Sequence, residues 1–213
     1  MNIDATTPII RPARMSDRNH LRAMQVDSMR KLAIHCYSRD EIEAFITFVG
    51  TMDDQLIEEG SYSLVEIDGR PIASGGWSRM RGNYVGAAPP VDRTAAKIRS
   101  VFVHHEWARH GFGRMLMQRA EWEASAAGFA RVELNALLSG VPFYRALGYQ
   151  PVRPIALGLP DGITFHGLTM MKPLDLDATS TAGSRSLVPL LPAVPPVIAG
   201  CMELAYSVPG CAA

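Results

Sequence analysis

The stretch from 97 to 117, "KIRSVFVHHEWARHGFGRMLM", constrains this chain more than any other. Its first part is a short apolar run rich in β-branched residues, which reads as a buried strand. Two glycines, Gly111 and Gly113, follow one residue apart, and apolar residues then recur at helical spacing. The helix is expected to run to about Ala127, with Met117, Ala120, Ala124 and Ala127 on one face and small enough there to lie close to a sheet. Gly128 suits its C-cap, and Phe129 supplies the apolar contact that accompanies such a cap. "ARVELNAL" is a second strand. Strand, glycine turn, helix and strand make a βαβ unit, for which parallel strands and a right-handed crossover are expected.

The rest of the chain must build around that unit. "PIIRPARMSD" is a short strand broken by Pro12, and Ser16 and Asp17 are candidate caps for a helix over about 18–32. A second helix is expected over about 39–49, with Ser38 as N-cap and Glu41 completing a capping box. "SYSLVEI" and "PIASGGW" flank an Asp-Gly turn and predict a hairpin. The segment from Arg79 to Ala96 reads as a long loop. "GVPFYRALGY" is a short helix with Pro142 in its first turn and Gly148 past its end; two strands around "PDG" close the pattern. Strands interleaved with helices predict an α/β or α+β sheet. Residues 1–174 form the expected domain. Residues 175–213 are rich in Ala, Pro, Ser and Val, carry no period, and read as a disordered tail.

Composition excludes several classes of function. The chain has 213 residues, 21 Lys plus Arg against 21 Asp plus Glu, and so no net charge, which argues against general phosphate neutralisation and a nucleic-acid partner. Its three cysteines are scattered and form no disulfide framework. The N-terminus shows no signal core, and no apolar stretch of about 18 residues could span a bilayer. A cytoplasmic protein with no membrane partner is expected.

The glycine turn admits four readings. As a metal site it fails: His105-Glu106 begins an HExxH pattern, but Arg109 stands at the last position, and no second ligand cluster is visible, so no metal is expected. As a dinucleotide fingerprint it fails because Leu116 stands at the third glycine position. An anion cradle remains, weighed equally against a simple tight turn. Helix N-termini carry unpaired N–H groups and a positive dipole end, and Arg109 and Arg114 add charge.

Four motifs, in order, resemble the GNAT superfamily of N-acetyltransferases over about residues 9–174. "ARHGFG" is similar to the family's Gln/Arg-x-x-Gly-x-Gly/Ala motif, with Ala108 departing at its first position. "KIRSVFVHHEW" resembles the fourth strand, "VPFYRALGY" the late aromatic motif, and "GLTMMKPL" the closing strand. The resemblance implies a twisted, mostly antiparallel sheet of about six to seven strands, flanked by about four helices, with two central parallel strands splayed apart.

It also implies acetyl-CoA as co-substrate and direct transfer of acetyl to a primary amine of a small molecule or peptide. Backbone groups of Phe102 and Val103 would hold the pantetheine arm, with the Val103 N–H on the thioester carbonyl. Amides of Arg109, His110, Gly111, Phe112, Gly113 and Arg114 would hold the pyrophosphate. Tyr144 matches the family's general acid to the thiolate. The base is open between Glu133, His104 and a water chain. Lys97 and Arg99 are either solvated strand-end charges or a preference for an anionic acceptor. Trp77 and Tyr84, with the first two helices, are expected around the acceptor. The alternative function is a non-catalytic CoA-binding sensor on the same fold. Homodimers are common in the family, so a homodimer is an allowed state.

Overall fold

The computed structural model describes residues 7–52, 54–79 and 95–175. Tyr84, residues 80–94 of the expected loop and residues 176–213 of the expected tail lie outside the described residues.

Among the described residues one seven-stranded sheet runs in the order β1-β2-β3-β4-β5-β7-β6. The strands are β1 (Ile9–Pro12), β2 (Tyr62–Ile67), β3 (Arg70–Ser78), β4 (Ala95–Val103), β5 (Arg131–Leu137), β6 (Gln150–Gly158) and β7 (Thr164–Pro173). Five α-helices accompany them: α1 (Arg18–Leu32), α2 (Arg39–Phe48), α3 (Asp54–Glu58), α4 (Phe112–Ala126) and α5 (Val141–Ala146). Every neighbouring pair is antiparallel except β4 and β5.

Local chemistry explains most of these elements. Ser38 Oγ accepts from the Glu41 N–H while the Glu41 carboxylate accepts from the Ser38 N–H, so α2 begins on the expected capping box. Asp68 and Gly69 both sit at positive φ, which closes the β2–β3 hairpin. The Gly128 N–H reaches the Ser125 carbonyl and the Phe129 N–H the Ala124 carbonyl, ending α4 as its sequence implied.

Two details differ from expectation. Asp17 does not cap α1 with its side chain: a 3₁₀ turn over Met15–Asp17 precedes the helix. Its carboxylate turns back to accept from the Arg14 N–H and from Arg11, because the charged pair outcompetes a neutral cap. Strand β4 also starts at Ala95, two residues before the apolar run suggested, since Ala95 and Ala96 are buried beside β5.

The sheet divides the core in two. On one face Ile98, Val132, Leu134 and Ala136 pack against Met117, Ala120 and Ala124 of α4. On the other, Phe102 and Leu137 meet Met29, Tyr37 and Ile42 from the α1–α2 region. Trp77 belongs to the α4 face: it packs on Phe129 and donates through Nε1 to Glu123 at 3.0 Å. It is therefore a core residue, not a wall of the acceptor pocket. Alternation along β3 carried it to the opposite face from α1.

Candidate active site

The site is built where β4 and β5 part. Their parallel ladder joins Ala95–Ile98 to Arg131–Leu134 and goes no further, although both strands continue. A bulge starts the divergence. The β3–β4 register shifts between Ser74 and Gly76, and Ser100 adopts φ 51, a left-handed conformation unusual for a residue with a side chain. The Tyr62 hydroxyl donates to the Ser100 carbonyl at 2.8 Å and accepts from Gln25 Nε2 at 2.7 Å, so a buried network holds the bulge.

Beyond the bulge, alternation decides which backbone groups face the gap. The His104 N–H donates to the Ile72 carbonyl, and Ser74 pairs with Phe102 in the same register. Phe102 thus spends its backbone groups on β3, while the Val103 N–H is turned away from β3, to the side of the gap. Of these two positions, both on the cavity wall, the register turns the backbone groups of Val103 and not those of Phe102 away from β3. By the same alternation Val101 is the second gap-facing residue, which motif reading missed because the bulge is carried by a serine. Ser28 Oγ donates to the Val103 carbonyl at 2.6 Å and fixes this strand end to α1.

The glycine turn completes one end of the gap. A 3₁₀ turn over His105–Trp107 leads to Arg109 at φ 67 and Gly111 at φ 87. Gly111 is the N-cap of α4, and its carbonyl receives the Met115 N–H. The amides of Phe112, Gly113 and Arg114 therefore precede the helix's internal bonds and stand free of them. The two glycines do different work. A Cβ on Gly111 would meet nothing within 4 Å, so its conformation, not its space, requires glycine. A Cβ on Gly113 would stand 3.1 Å from Phe143 Cζ and 3.4 Å from Val103 Cγ2, so close packing requires that one. His110 turns its ring away, with Nδ1 2.9 Å from the Ala108 carbonyl, and is absent from the cavity wall that Arg109, Gly111, Phe112, Gly113 and Arg114 help form.

That cavity measures about 970 Å³ and runs through the gap to the α1–α2 side. Tyr144 lines it from α5, and burial raises its phenol well above the ordinary tyrosine range. Phe143 packs edge-on against it at 5.1 Å. Met29, Phe45, Phe102 and Phe165 give the acceptor side an apolar wall.

The charged groups resolve differently. Glu133 lies opposite Lys97 in the parallel ladder, and their side chains form an ion pair at 2.7 Å with 17% and 9% exposure. Arg99, also on the wall, is largely buried, and desolvation lowers it to about 10. Neither Lys97 nor Arg99 is a solvated strand-end charge. His104 and His105 lie off the cavity wall. The expectation that no further carboxylate joins them is corrected: Asp27 of α1 sits 2.9 Å from His105 Nδ1 and 3.7 Å from His104 Nε2. Its distance along the chain hid it from any spacing pattern.

Comparison with known proteins agrees with this geometry. The model of the acetyltransferase (GNAT) domain matches residues 34–172. Similar solved structures include a GCN5-related N-acetyltransferase from Rhodopseudomonas palustris, at 20% identity over 82% of this chain and 100% of that one, with a TM-score of 0.63. PaiA N-acetyltransferase from Thermoplasma acidophilum, in complex with coenzyme A, shares 16% identity over 78% and 99% of the two chains, with a TM-score of 0.57. YncA from Salmonella typhimurium, solved with its cofactor acetyl-CoA, shares 17% over 79% and 94%, with a TM-score of 0.54.

Proposed function

Since the chain belongs to the GNAT acetyltransferase family, we propose that it transfers acetyl from acetyl-CoA to a primary amine of a small molecule or peptide. The observation that carries this reading is the splayed gap: a backbone edge at Val103, free amides at the start of α4 and the Tyr144 phenol all face one cavity.

The chain's groups fit the co-substrate. A left-handed Gly111 with open space in front of it lets a pyrophosphate approach the amides of Phe112, Gly113 and Arg114. Arg109 and Arg114 supply opposite charge. The Val103 N–H, turned to the gap, can take an arm lying there as an extra strand does, and can polarise the thioester oxygen.

Bound acetyl-CoA supplies an activated thioester carbon. The acceptor nitrogen forms the new C–N bond as the C–S bond breaks. Tyr144 gives its proton to the departing sulfur, the amine loses its own proton to solvent, and solvent returns one proton to Tyr144, so the cycle balances. Its raised pKa keeps the phenol protonated for that task. Glu133 is held by Lys97, so a water chain serves better as the route for the amine proton.

The test is a thiol-release assay with acetyl-CoA over amino acids, peptides, polyamines and aminoglycosides. Thiol release with at least one amine supports the reading. CoA-stabilised melting with no turnover across the panel would instead favour a CoA-binding sensor.

A further inference from the structure

Where β4 ends, a second cluster of side chains stands that the proposed reaction leaves unused. Asp27 of α1 lies 2.9 Å from His105 Nδ1 and 3.7 Å from His104 Nε2. None of the three lines the cavity. Neighbours on an extended strand point to opposite faces. Here β4 stops at Val103 and a 3₁₀ turn begins at His105, with His104 at φ −53 and ψ 136 between them. That corner brings both imidazoles to one side, with ring centroids 4.5 Å apart.

Pairing within the protein does not account for the cluster. His105 Nδ1 is buried and, although close to Asp27, makes no hydrogen bond among the described residues. Among those residues no lysine or arginine forms a salt bridge with Asp27, and Arg30, about one turn along α1, is bound by Glu43. Two imidazoles and a carboxylate instead make a ligand set for a transition-metal ion. Their three donor atoms lie within 4.8 Å of one another. An ion held ~2.0–2.1 Å from nitrogen and oxygen sets tetrahedral ligands about 3.3 Å apart, a value between the two distances to Asp27. The rings are 25% and 30% exposed, so they can rotate to close the remainder and an ion can reach them.

We propose that Asp27, His104 and His105 bind a divalent transition-metal ion of the Zn²⁺ type, through Oδ2, Nε2 and Nδ1. The inference goes beyond the transferase reading and does not depend on it. A metal-bound histidine must be neutral, with its proton on the other nitrogen. For His104 that nitrogen is Nδ1, which now accepts from the Glu106 N–H at 3.3 Å and lies 3.9 Å from the Glu106 carboxylate. Binding exchanges this long bond for donation to the carboxylate, the usual outer partner of a metal-bound imidazole. The ion's place is structural. Ser28, next to Asp27, already donates to the carbonyl of Val103, next to His104. A metal there ties α1 to the end of β4 a second time.

The experiment titrates Zn²⁺ into the chelator-stripped full chain, in competition with a chromophoric chelator. One equivalent is expected to bind at this site. D27N and H105Q should each weaken it by at least the ~10–100-fold that losing even an outer partner costs a metal site. H20Q, with an exposed histidine elsewhere on α1, and the C36S/C201S/C211S variant should bind as the native protein does. Zn²⁺ at about 100 times its Kd should raise the native melting temperature by roughly 5–10 °C and leave that of D27N unmoved. Excess Mg²⁺, which prefers oxygen ligands, should not displace the ion. Metal-free melting shows whether each variant is folded; if D27N is not, H105Q decides, and the native melting shift and Mg²⁺ competition decide in any case. Native affinity retained in folded D27N or H105Q, loss of binding in the cysteine variant, displacement by Mg²⁺, or no melting shift in the native protein would each overturn the inference.

Discussion

The hydroxyl of Tyr62 and the carbonyl of Ser100 are joined at 2.8 Å across the inside of the sheet. Ser100 is the left-handed residue of the β4 bulge, and the bulge is what turns Val103 to the gap. Tyr62→Phe leaves that buried carbonyl and the Gln25 amide without their shared partner. It is expected to cost about 1–3 kcal/mol in urea unfolding and to raise the KM for acetyl-CoA. Unchanged KM in a destabilised Y62F protein would separate the bulge from co-substrate binding.

The glycine pair makes a second prediction, with two different signatures. Gly111→Ala forces a Cβ into φ 87 and is expected to cost about 1 kcal/mol or more of stability from backbone strain. Gly113→Ala crowds Phe143 and Val103 instead, displacing the ring that packs against Tyr144. Its larger expected effect is on kcat. Thermal melting and steady-state kinetics on the two variants read strain and displacement separately.

The Lys97–Glu133 pair supplies the third. Glu133→Gln strands a buried ammonium and is expected to destabilise by about 3 kcal/mol or more. The K97M/E133L double variant is expected to recover most of that loss. The acid limb of the pH–rate profile should be the same in folded E133Q as in the native protein, because the proton route runs through water. Loss of that limb would restore Glu133 as the base.

Much of this was legible in the sequence, and the exceptions share a cause. The Ser38–Glu41 box, the Asp-Gly hairpin and the Gly128–Phe129 helix end are local, so their chemistry is written in adjacent letters. The motif order carried the family, and with it the splayed sheet. What escaped depends on groups distant along the chain. Glu133 meets Lys97 only through a parallel register, and Asp27 meets His105 only because α1 lies against the end of β4. The bulge escaped because a serine, not a glycine, occupies its left-handed position. Helix α3, five residues long, is too short to show a period.

Burial of Tyr144 sets a pH prediction. A raised phenol keeps its proton to higher pH, so kcat should show no loss from Tyr144 ionisation up to about pH 10, where an ordinary tyrosine titrates. The folded state binds that proton more tightly than the unfolded chain. Its stabilising contribution is therefore complete below the unfolded value near ~10 and is lost as pH rises towards the folded one. Alkaline unfolding should be less steep in Tyr144→Phe.

The most direct test of the account is the rate of acetyl transfer in that same Y144F protein, using the best acceptor from the thiol-release panel. If Tyr144 protonates the leaving sulfur, kcat falls by about 10²–10⁴-fold while the KM for acetyl-CoA changes little. A kcat within a few-fold of the native value would contradict the assignment and move the proton donor elsewhere in the cavity.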